Sequence, residues 1–223
     1  MNAPIAAPIA APIAAQGVRR WFMSGDERIV PVDGVTLSID AGEVVVLTGP
    51  SGSGKTTLLQ MLAGFQRPDE GSVRWHDSID TTPSWAVVAV VPQTLGLLAE
   101  LTVAENVALP LLARGVDPTE AHAAVESALA DLRVDHLAHR LVGEASLGQQ
   151  QRVAVARAVV GEPRIIVADE PTSHQDTEHA DIVLGAIRAA AQRGAACVLA
   201  GHDPRLTLFA DRVLHLEQGR LAT

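Results

Sequence analysis

A stretch of eight residues, Gly-Pro-Ser-Gly-Ser-Gly-Lys-Thr at 49–56, has the composition and order of a phosphate-binding loop. It follows a short β-branched run at 44–48 and opens an apolar helical run that ends before Gly64. Glycines at such a turn allow backbone N–H groups to surround phosphate oxygens, and the helix N-terminus adds positive potential. The members of the predicted loop are Gly49, Pro50, Ser51, Gly52, Ser53, Gly54, Lys55, Thr56 and Thr57.

Two side chains of this loop have distinct predicted tasks. Lys55 stands where an ammonium group would hold the β and γ phosphates, and Thr56 stands where a hydroxyl would bind Mg²⁺. A flexible Gly/Ser turn is the alternative interpretation. We favour the phosphate site because chance seldom places Lys-Thr at this offset within a strand-to-helix junction.

An apolar run at 165–168 precedes two adjacent carboxylates, Asp169 and Glu170. The run predicts a buried strand whose end delivers Asp169 toward a metal ion and Glu170 toward a water molecule that attacks the γ-phosphate. An ordinary acidic loop is the alternative. The phosphate-binding loop in the same chain makes the paired chemistry the better interpretation.

Residues 144–153, Glu-Ala-Ser-Leu-Gly-Gln-Gln-Gln-Arg-Val, form a less familiar stretch ahead of a helical pattern. Ser146 suits the N-cap of that helix, because its hydroxyl can accept a hydrogen bond from an otherwise unsatisfied backbone N–H. A cap alone does not require three consecutive glutamines. We therefore expect these residues to face something besides their own helix.

Beyond these motifs the chain alternates apolar strand-like and helical runs, which predicts an α/β domain. Asp117 and Pro118 suit the cap and the first turn of a helix in the middle of the chain. Strands are predicted at 44–48, 86–91, 165–168 and 197–200, helices at 56–62, 118–133 and 179–192, and a strand pair at 212–221 that turns at Gln218-Gly219.

The composition limits the partners of the protein. Its 223 residues are 48% hydrophobic, enough for the core of one domain. A formal charge of −9 gives no global attraction to nucleic acid or anionic lipid, so any anion site must be built locally. Cys197 is the single cysteine and cannot form an intrachain disulfide, which is compatible with a reducing cytoplasm.

The N-terminal residues 1–16 repeat Ala-Pro-Ile at a four-residue spacing, which predicts a disordered tail before one domain at 17–223. Arg19 and Arg20 resemble a twin-arginine export signal. The Met-Ser-Gly-Asp-Glu-Arg segment at 23–28 lacks the apolar character that such a signal needs, so we reject export. No stretch is predicted to cross a membrane.

Four motifs occur in the order and spacing of ATP-binding-cassette (ABC) ATPases, and the resemblance covers about residues 17–221. They are the 49–56 loop, Ala-Ser-Leu-Gly-Gln at 145–149, Val-Ala-Asp-Glu-Pro-Thr-Ser-His-Gln-Asp at 167–176 and Gly-His-Asp at 201–203. The resemblance implies a P-loop NTPase fold of ABC type, in the α/β class. Its mixed-sheet core would carry an N-terminal antiparallel β part and a helical subdomain inserted at about 94–160. ATP and Mg²⁺ are the implied cofactors.

The resemblance also assigns roles to individual residues. Gln93 matches a residue that bridges magnesium, the attacking water and a membrane partner, and His202 matches a histidine that contacts the γ-phosphate. The implied catalytic residues are Glu170, His202 and Gln93. The implied metal ligands are Thr56, Gln93 and, through water, Asp169.

Two further segments would act across a dimer. The family's signature, which binds ATP held by a second subunit, matches Ser146, Leu147, Gly148 and Gln149. Asp176 matches the acid of the D-loop, which communicates across the dimer, although His174 and Gln175 depart from the usual Ala-Leu.

The adenine contact is predicted at an aromatic residue ahead of the 49–56 loop, where Trp21 and Phe22 are available. Phe22 matches the stacking position in MacB- and LolD-like members of the family. Packing in the core is the alternative for this ring.

The resemblance implies an ATP-binding and hydrolysing subunit of a membrane transporter, dimeric and coupled to a separate permease. The chain resembles the MacB/LolD type of this family, which pairs with FtsX-like permeases that would hold the protein on the cytoplasmic face of the cell membrane. Leu95, Leu97 and Leu98 either line a groove for a permease helix or belong to the core.

Three alternatives differ from this interpretation. A P-loop kinase would lack the 145–149 and 201–203 motifs, and a soluble repair or translation ABC ATPase would need a coiled coil, zinc modules or a second cassette. The third alternative arises because the usual signature is Leu-Ser-Gly-Gly-Gln, so that Ala145 and Leu147 could mark a degenerate site in a heterodimer. We favour a competent site, since Ser146 and the N–H groups near Gly148 are retained.

Overall fold

The computed structural model describes residues 11–75, 78–79, 83–84 and 86–222. Its strands are β1 (Ile13–Ser24), β2 (Glu27–Ile39), β3 (Val44–Thr48), β4 (Glu70–Trp75), β5 (Ser78–Ile79), β6 (Val88–Val91), β7 (Ile165–Asp169), β8 (Ala196–Ala200), β9 (Arg212–Glu217) and β10 (Arg220–Leu221). Its helices are α1 (Lys55–Leu62), α2 (Val103–Ala113), α3 (Pro118–Asp131), α4 (Leu147–Val159), α5 (Thr177–Gln192) and α6 (Pro204–Phe209). Two 3₁₀ turns lie at Asp135–Leu137 and Val142–Glu144.

The larger sheet has the order β10-β9-β3-β8-β7-β6, and its strands run parallel except for β10. β3, β7 and β8 occupy its centre and are almost entirely buried, which explains why they are short, continuous apolar runs. Parallel strands bring their carboxyl ends to one edge of a sheet, where ligands of such folds bind. Thr48, Val91, Asp169 and Ala200 end the strands at this edge.

The two faces of this sheet have separate hydrophobic cores because successive side chains of a strand point to opposite faces. Val44 and Val46 pack in one core with residues of α2, α3, α4 and α5. Val45 and Leu47 pack in the other with residues of α1 and of the strands β1 and β2. Cys197 is fully buried in the first core, and burial raises the pKa of its thiol to about 12.

The smaller sheet is antiparallel, with the order β2-β1-β4-β5, and it corrects the predicted boundary of the N-terminal tail. Ile13 pairs with Ile39 of β2 and Trp75 of β4, and its side chain is 0% exposed. Residues 13–16 are therefore strand, because two neighbouring strands supply hydrogen bonds and an apolar face that the repeat alone did not predict. The predicted tail residues 1–10 lie outside the described residues.

The region predicted to be helical, 94–160, contains α2, α3 and α4. α2 packs against α3 and α4, and α4 also contacts β6 and α5. These helices share the first core with the sheet, so α4 is fixed relative to the carboxyl edge. Among the described residues, no helix combines the length and the apolar character needed to cross a bilayer.

Candidate nucleotide-binding site

The loop at 49–54 connects β3 to α1 at the carboxyl edge of the larger sheet. Gly54 is the N-cap of α1 and has φ 103°, a left-handed conformation. A Cβ atom on Gly54 would lie 1.8 Å from the carbonyl oxygen of Pro31 in β2, so only glycine fits here. The backbone of β2 thus holds the loop closed and aims the first N–H groups of α1 outward as an anion site.

Polar groups within the loop fit a phosphate. The Nζ of Lys55 donates to the carbonyls of Gly49 at 2.8 Å and Pro50 at 3.0 Å, which places the ammonium group over the loop. Ser53 is buried, and its Oγ has no hydrogen-bond partner within the described part of the chain. Buried hydroxyls normally have a partner, and a phosphate oxygen would be a suitable acceptor for this one.

Thr56 of α1, Asp169 of β7 and Gln93, which follows β6, line one pocket of about 180 Å³. The Thr56 hydroxyl donates to Asp169 Oδ2 at 2.7 Å. Asp169 is only 8% exposed, and burial raises the pKa of its carboxyl group above the ordinary value. A divalent cation would stabilise the carboxylate here, and a hydroxyl, a carboxylate and an amide oxygen are the hard ligands that Mg²⁺ takes.

Glu170 and His202, predicted separately from the sequence, are hydrogen-bonded to each other. His202 Nδ1 lies 2.8 Å from Glu170 Oε1. Since an ionised carboxylate can only accept, Nδ1 is then the donor, and the Nε2 of a neutral ring is free to accept. Glu170 has φ 54°, an unfavourable angle for a residue with a side chain, and its N–H donates to the Ala200 carbonyl at 2.8 Å. Such strain is common at functional sites.

The predicted signature residues form the N-terminus of α4. Ser146 is the N-cap, as predicted, and it exchanges hydrogen bonds with Gln149 in a capping box: the Gln149 N–H donates to Ser146 Oγ, and the Ser146 N–H donates to Gln149 Oε1. Leu147 is 49% exposed. The N-terminus of α4 is therefore rigid and open on its outer side.

The glutamine triplet has three different environments. Gln149 closes the capping box, and Gln150 donates to the Ala145 carbonyl at 2.8 Å. Gln151 is buried at 1% exposure, and its side chain accepts from the Ser173 hydroxyl at 3.3 Å. The third glutamine thus ties α4 to the loop that follows Glu170, a role that the sequence did not reveal.

Gly148 is in close contact with that same loop. A Cβ atom on it would lie 2.7 Å from the carbonyl oxygen of His174, a residue with φ 60°. The structure thus gives a reason within the chain for glycine at this position. Asp176, which follows, caps α5 through the His179 N–H at 2.9 Å. The backbone and side-chain hydrogen bonds from His179 lower the pKa of the Asp176 carboxyl group.

The segment after Gln93 is held by two residues that sequence reasoning missed. Arg157 of α4 donates to the carbonyls of Leu95 and Gly96, each at 2.7 Å. Asn106 of α2 is fully buried and exchanges hydrogen bonds with the backbone of Leu98. These contacts join the segment to the helical region.

The three leucines of this segment have different environments. Leu95 is buried and Leu97 packs against the same core, whereas Leu98 is 48% exposed. The core alternative therefore holds for the first two, and only Leu98 presents a large apolar surface.

Phe22 lies in β1 opposite Ile29 and is 39% exposed. The guanidinium group of Arg20 stands 4.8 Å from the centre of its ring, and that of Arg28 stands 3.9 Å from the Trp21 ring. Phe22 is thus a surface residue rather than a core residue. Its exposure leaves ring surface for stacking, and the adenine contact stays a prediction.

Comparison with known proteins gives the family of this chain. A family model described as ABC transporter matches residues 32–173. The chain is 38% identical over 230 residues to the lipoprotein-releasing system ATP-binding protein LolD of Chromohalobacter salexigens, covering 99% of this chain and 97% of that protein. It is 42% identical over 203 residues to an uncharacterised ABC transporter ATP-binding protein of Mycobacterium bovis, covering 87% of this chain. The chain spans 62% of the length of that mycobacterial relative.

The fold has solved counterparts. The dimeric ATP-binding cassette MJ0796, solved in a post-hydrolysis state bound to ADP and Pi, has a TM-score of 0.89 and 28% sequence identity. This similarity covers 95% of the present chain and 97% of that one. The predicted ABC-type fold is confirmed. The match to the family model and the nearly full-length similarity to LolD place this chain in the family of ABC transporter ATP-binding proteins.

Proposed function

We propose that the protein is an ATP-binding and ATP-hydrolysing subunit of a membrane ABC transporter complex. The observation that carries this proposal is the convergence of four strand ends at one edge of the larger sheet. They bring together the 49–54 loop, Gln93, the Asp169–Glu170 pair and His202. Family membership and the similarity to the cassette bound to ADP and Pi support it.

Within one chain, the residues divide the chemistry as follows. The 49–54 backbone and Lys55 bind the phosphates, and Thr56, Asp169 and Gln93 would hold Mg²⁺, which offsets phosphate charge when bound. Glu170 accepts the proton of the attacking water as a general base. The hydrogen bond between His202 Nδ1 and Glu170 Oε1 holds the Glu170 carboxylate beside His202.

A second subunit would complete the site. Ser146 and Gly148 would reach the nucleotide held by the partner, and the exposed N-terminus of α4 supports this arrangement. Asp176 would communicate across the dimer. Binding of ATP to the closed dimer more tightly than to the open one is enough to drive closure, and hydrolysis then reopens the dimer. Both homodimers and heterodimers fit this scheme.

The partner in the membrane would be a permease, and an FtsX-like one is the finer proposal. The name of the LolD relative, a lipoprotein-releasing system protein, supports the assignment to this type of transporter. Phe65 and Leu98 are 65% and 48% exposed, and Phe65 borders the pocket that contains Gln93. They offer apolar contacts to a permease helix, which would hold the protein on the cytoplasmic face of the membrane.

The test replaces the proposed base. We expect Glu170→Gln to lower ATP turnover by about 100-fold or more while ATP binding is retained, because a glutamine cannot accept the proton. Size-exclusion chromatography should show an ATP-bound dimer with Mg-ATP. The control is Glu126→Gln on α3, where the side chain is 69% exposed and turnover should not change. A Glu170→Gln protein that stays monomeric and hydrolyses ATP normally would refute the proposal.

A further inference from the structure

Gln175 lies between the open N-terminus of α4 and the cap of α5, and it contacts the first of these through its side chain. Its Nε2 donates to the carbonyl of Gly148 at 2.7 Å, and its Oε1 accepts from Arg152 Nη1 at 3.0 Å. One planar amide thus binds two groups of α4 that are one helical turn apart. The backbone continues directly into Asp176, whose side chain caps α5.

Both hydrogen-bond partners of the Gln175 amide are constrained by their surroundings. Arg152 is only 6% exposed, and burial lowers the pKa of its guanidinium group. Its Nε has no hydrogen-bond partner among the described residues, so the bond to Gln175 serves a buried charge whose other stabilising interaction is electrostatic attraction to Asp176. Gly148 cannot move toward the loop, because the His174 carbonyl already fills the space where a Cβ atom would stand.

We infer that Gln175 is a positioning residue that joins the Ser146–Gln149 turn and Asp176 into one rigid surface. Both elements would meet the second subunit in the proposed dimer, so fixing their spacing before contact reduces the entropy lost on closure. Leucine, the usual family residue here, has neither a donor nor an acceptor. This chain therefore has side-chain hydrogen bonds at a position where an apolar contact is usual. Replacing its glutamine should weaken dimerisation.

The inference rests on the proposed function and is tested in the Glu170→Gln protein. Gln175→Leu removes both hydrogen bonds at similar side-chain volume, and Gln192→Leu at an exposed position of α5 is the matched control. We expect Gln175→Leu to raise the ATP concentration for half-maximal dimerisation by about tenfold or more, as for loss of a hydrogen bond to a charged group. The control should stay within about twofold.

Binding of ADP to the monomer separates positioning from a general defect. ADP is held by the 49–54 loop of the same chain, so its affinity, measured by calorimetry, should stay within about twofold in both variants. Gln175→Glu keeps an acceptor for Arg152 but loses the donor to Gly148. If Gln175→Leu melts below the assay temperature, Gln175→Glu is measured instead. The ATP concentration for half-maximal dimerisation should then rise as well.

The outcomes are distinct. A folded Gln175 variant that forms dimers at the ATP concentration of its parent overturns the inference, as does a variant that loses ADP affinity and dimerisation together. A Glu170→Gln parent that stays monomeric with Mg-ATP overturns the proposed function, and the inference with it. A selective shift in dimerisation, with ADP affinity retained, supports Gln175 as the positioning residue.

Discussion

The loop at 49–54 and the turn at 146–149 both present backbone N–H groups at a helix N-terminus, but their surroundings differ. Main chain from another strand encloses the loop, since the Pro31 carbonyl blocks the space beside Gly54. The turn is held from one side, by side-chain hydrogen bonds, and leaves Leu147 49% exposed. The enclosed loop can bind phosphate within its own chain, whereas the open turn needs a second surface.

The two sites also differ in the kind of contact that holds them. Backbone from distant strands encloses the loop, because the carbonyl oxygens of Pro31 and Leu216 would lie 1.8 Å and 2.1 Å from Cβ atoms on Gly54 and Gly49. The turn depends on Gln175, which is 27 residues from Gly148, and on the His174 carbonyl. Substitutions should therefore separate the two: changes at the loop abolish nucleotide binding by one chain, and changes at the turn spare it.

The largest effect is expected at Gly54. Gly54→Ala would place a Cβ atom 1.8 Å from the Pro31 carbonyl at φ 103°, so the loop must open, at a cost of about 3 kcal/mol or more. Gly34→Ala is the matched control, because Gly34 lies outside the loop and has φ 72° and nothing within 4 Å of its Cβ position. Its left-handed angle alone costs about 1 kcal/mol. We expect calorimetry to show ATP binding only for the control; equal affinities would mean that enclosure does not define the loop.

Gly148 provides the corresponding test at the turn. Gly148→Asp should abolish ATPase activity, by about 100-fold or more, through the collision with His174 and through a carboxylate set against phosphate. Gly148→Ala introduces the collision with the His174 carbonyl without a charge, and it should still lose about tenfold in ATPase activity. Gly143→Ala and Gly143→Asp, with no atoms within 4 Å of the Cβ position, are the controls.

Phosphate release assays measure these activities, and ADP affinity should be unchanged in all four proteins. If Gly148→Ala is fully active, the contact with His174 has no functional role. Repulsion between the introduced carboxylate and the phosphate would then explain the whole loss of ATPase activity in Gly148→Asp.

The same contrast explains what could be predicted from the sequence. β3, β7 and β8 were predicted almost to the residue, because buried parallel strands are continuous apolar runs bounded by motifs. Residues 13–16 were assigned wrongly, since the burial of Ile13 depends on β2 and β4 rather than on its own repeat. Local pattern predicts an element well when the pattern itself contains the reason for burial.

The residues of the proposed site also differ in whether the sequence alone could reveal them. Lys55, Thr56, Asp169 and Glu170 could be predicted because their spacing within one motif carries the chemistry. Arg157 could not, because it binds the Leu95 carbonyl across 62 residues and only the fold brings them together. Gln151 and Gln175 were missed for the same reason, although the unexplained glutamine triplet was a usable signal.

A smaller effect is expected at Asp169, where stability and cation binding oppose each other. Burial raises the pKa of this carboxyl group, so the folded state binds a proton more readily than the unfolded state. The stability of nucleotide-free protein therefore falls as pH rises above the unfolded pKa. Asp169→Asn removes this charge and can still accept from the Thr56 hydroxyl, so it should raise Tm, by about 2–4 °C per kcal/mol recovered.

Thermal melts at pH 4 and pH 8, without nucleotide, test this expectation. The gain from Asp169→Asn should be larger at pH 8 than at pH 4, which is close to the ordinary pKa of 3.8, because more of the wild-type carboxyl group is ionised at pH 8. ATP binding by the variant should no longer respond to Mg²⁺. A variant that melts below the wild type at both pH values would show that burial of the charge is already compensated within the chain.

The smallest effect is expected at Leu147, where the usual family signature has glycine. Its side chain is 49% exposed, and neither hydrogen bond of the capping box between Ser146 and Gln149 involves it. Leu147→Gly should therefore change ATPase activity of the permease-bound protein by less than about tenfold, under about 1.4 kcal/mol in barrier. Ser146→Ala, which removes the cap hydroxyl, is the comparison and should lose more. Steady-state phosphate release decides between a competent and a degenerate site: if Leu147→Gly gains about a hundredfold, the natural turn is impaired, and a second, different cassette must supply the working signature.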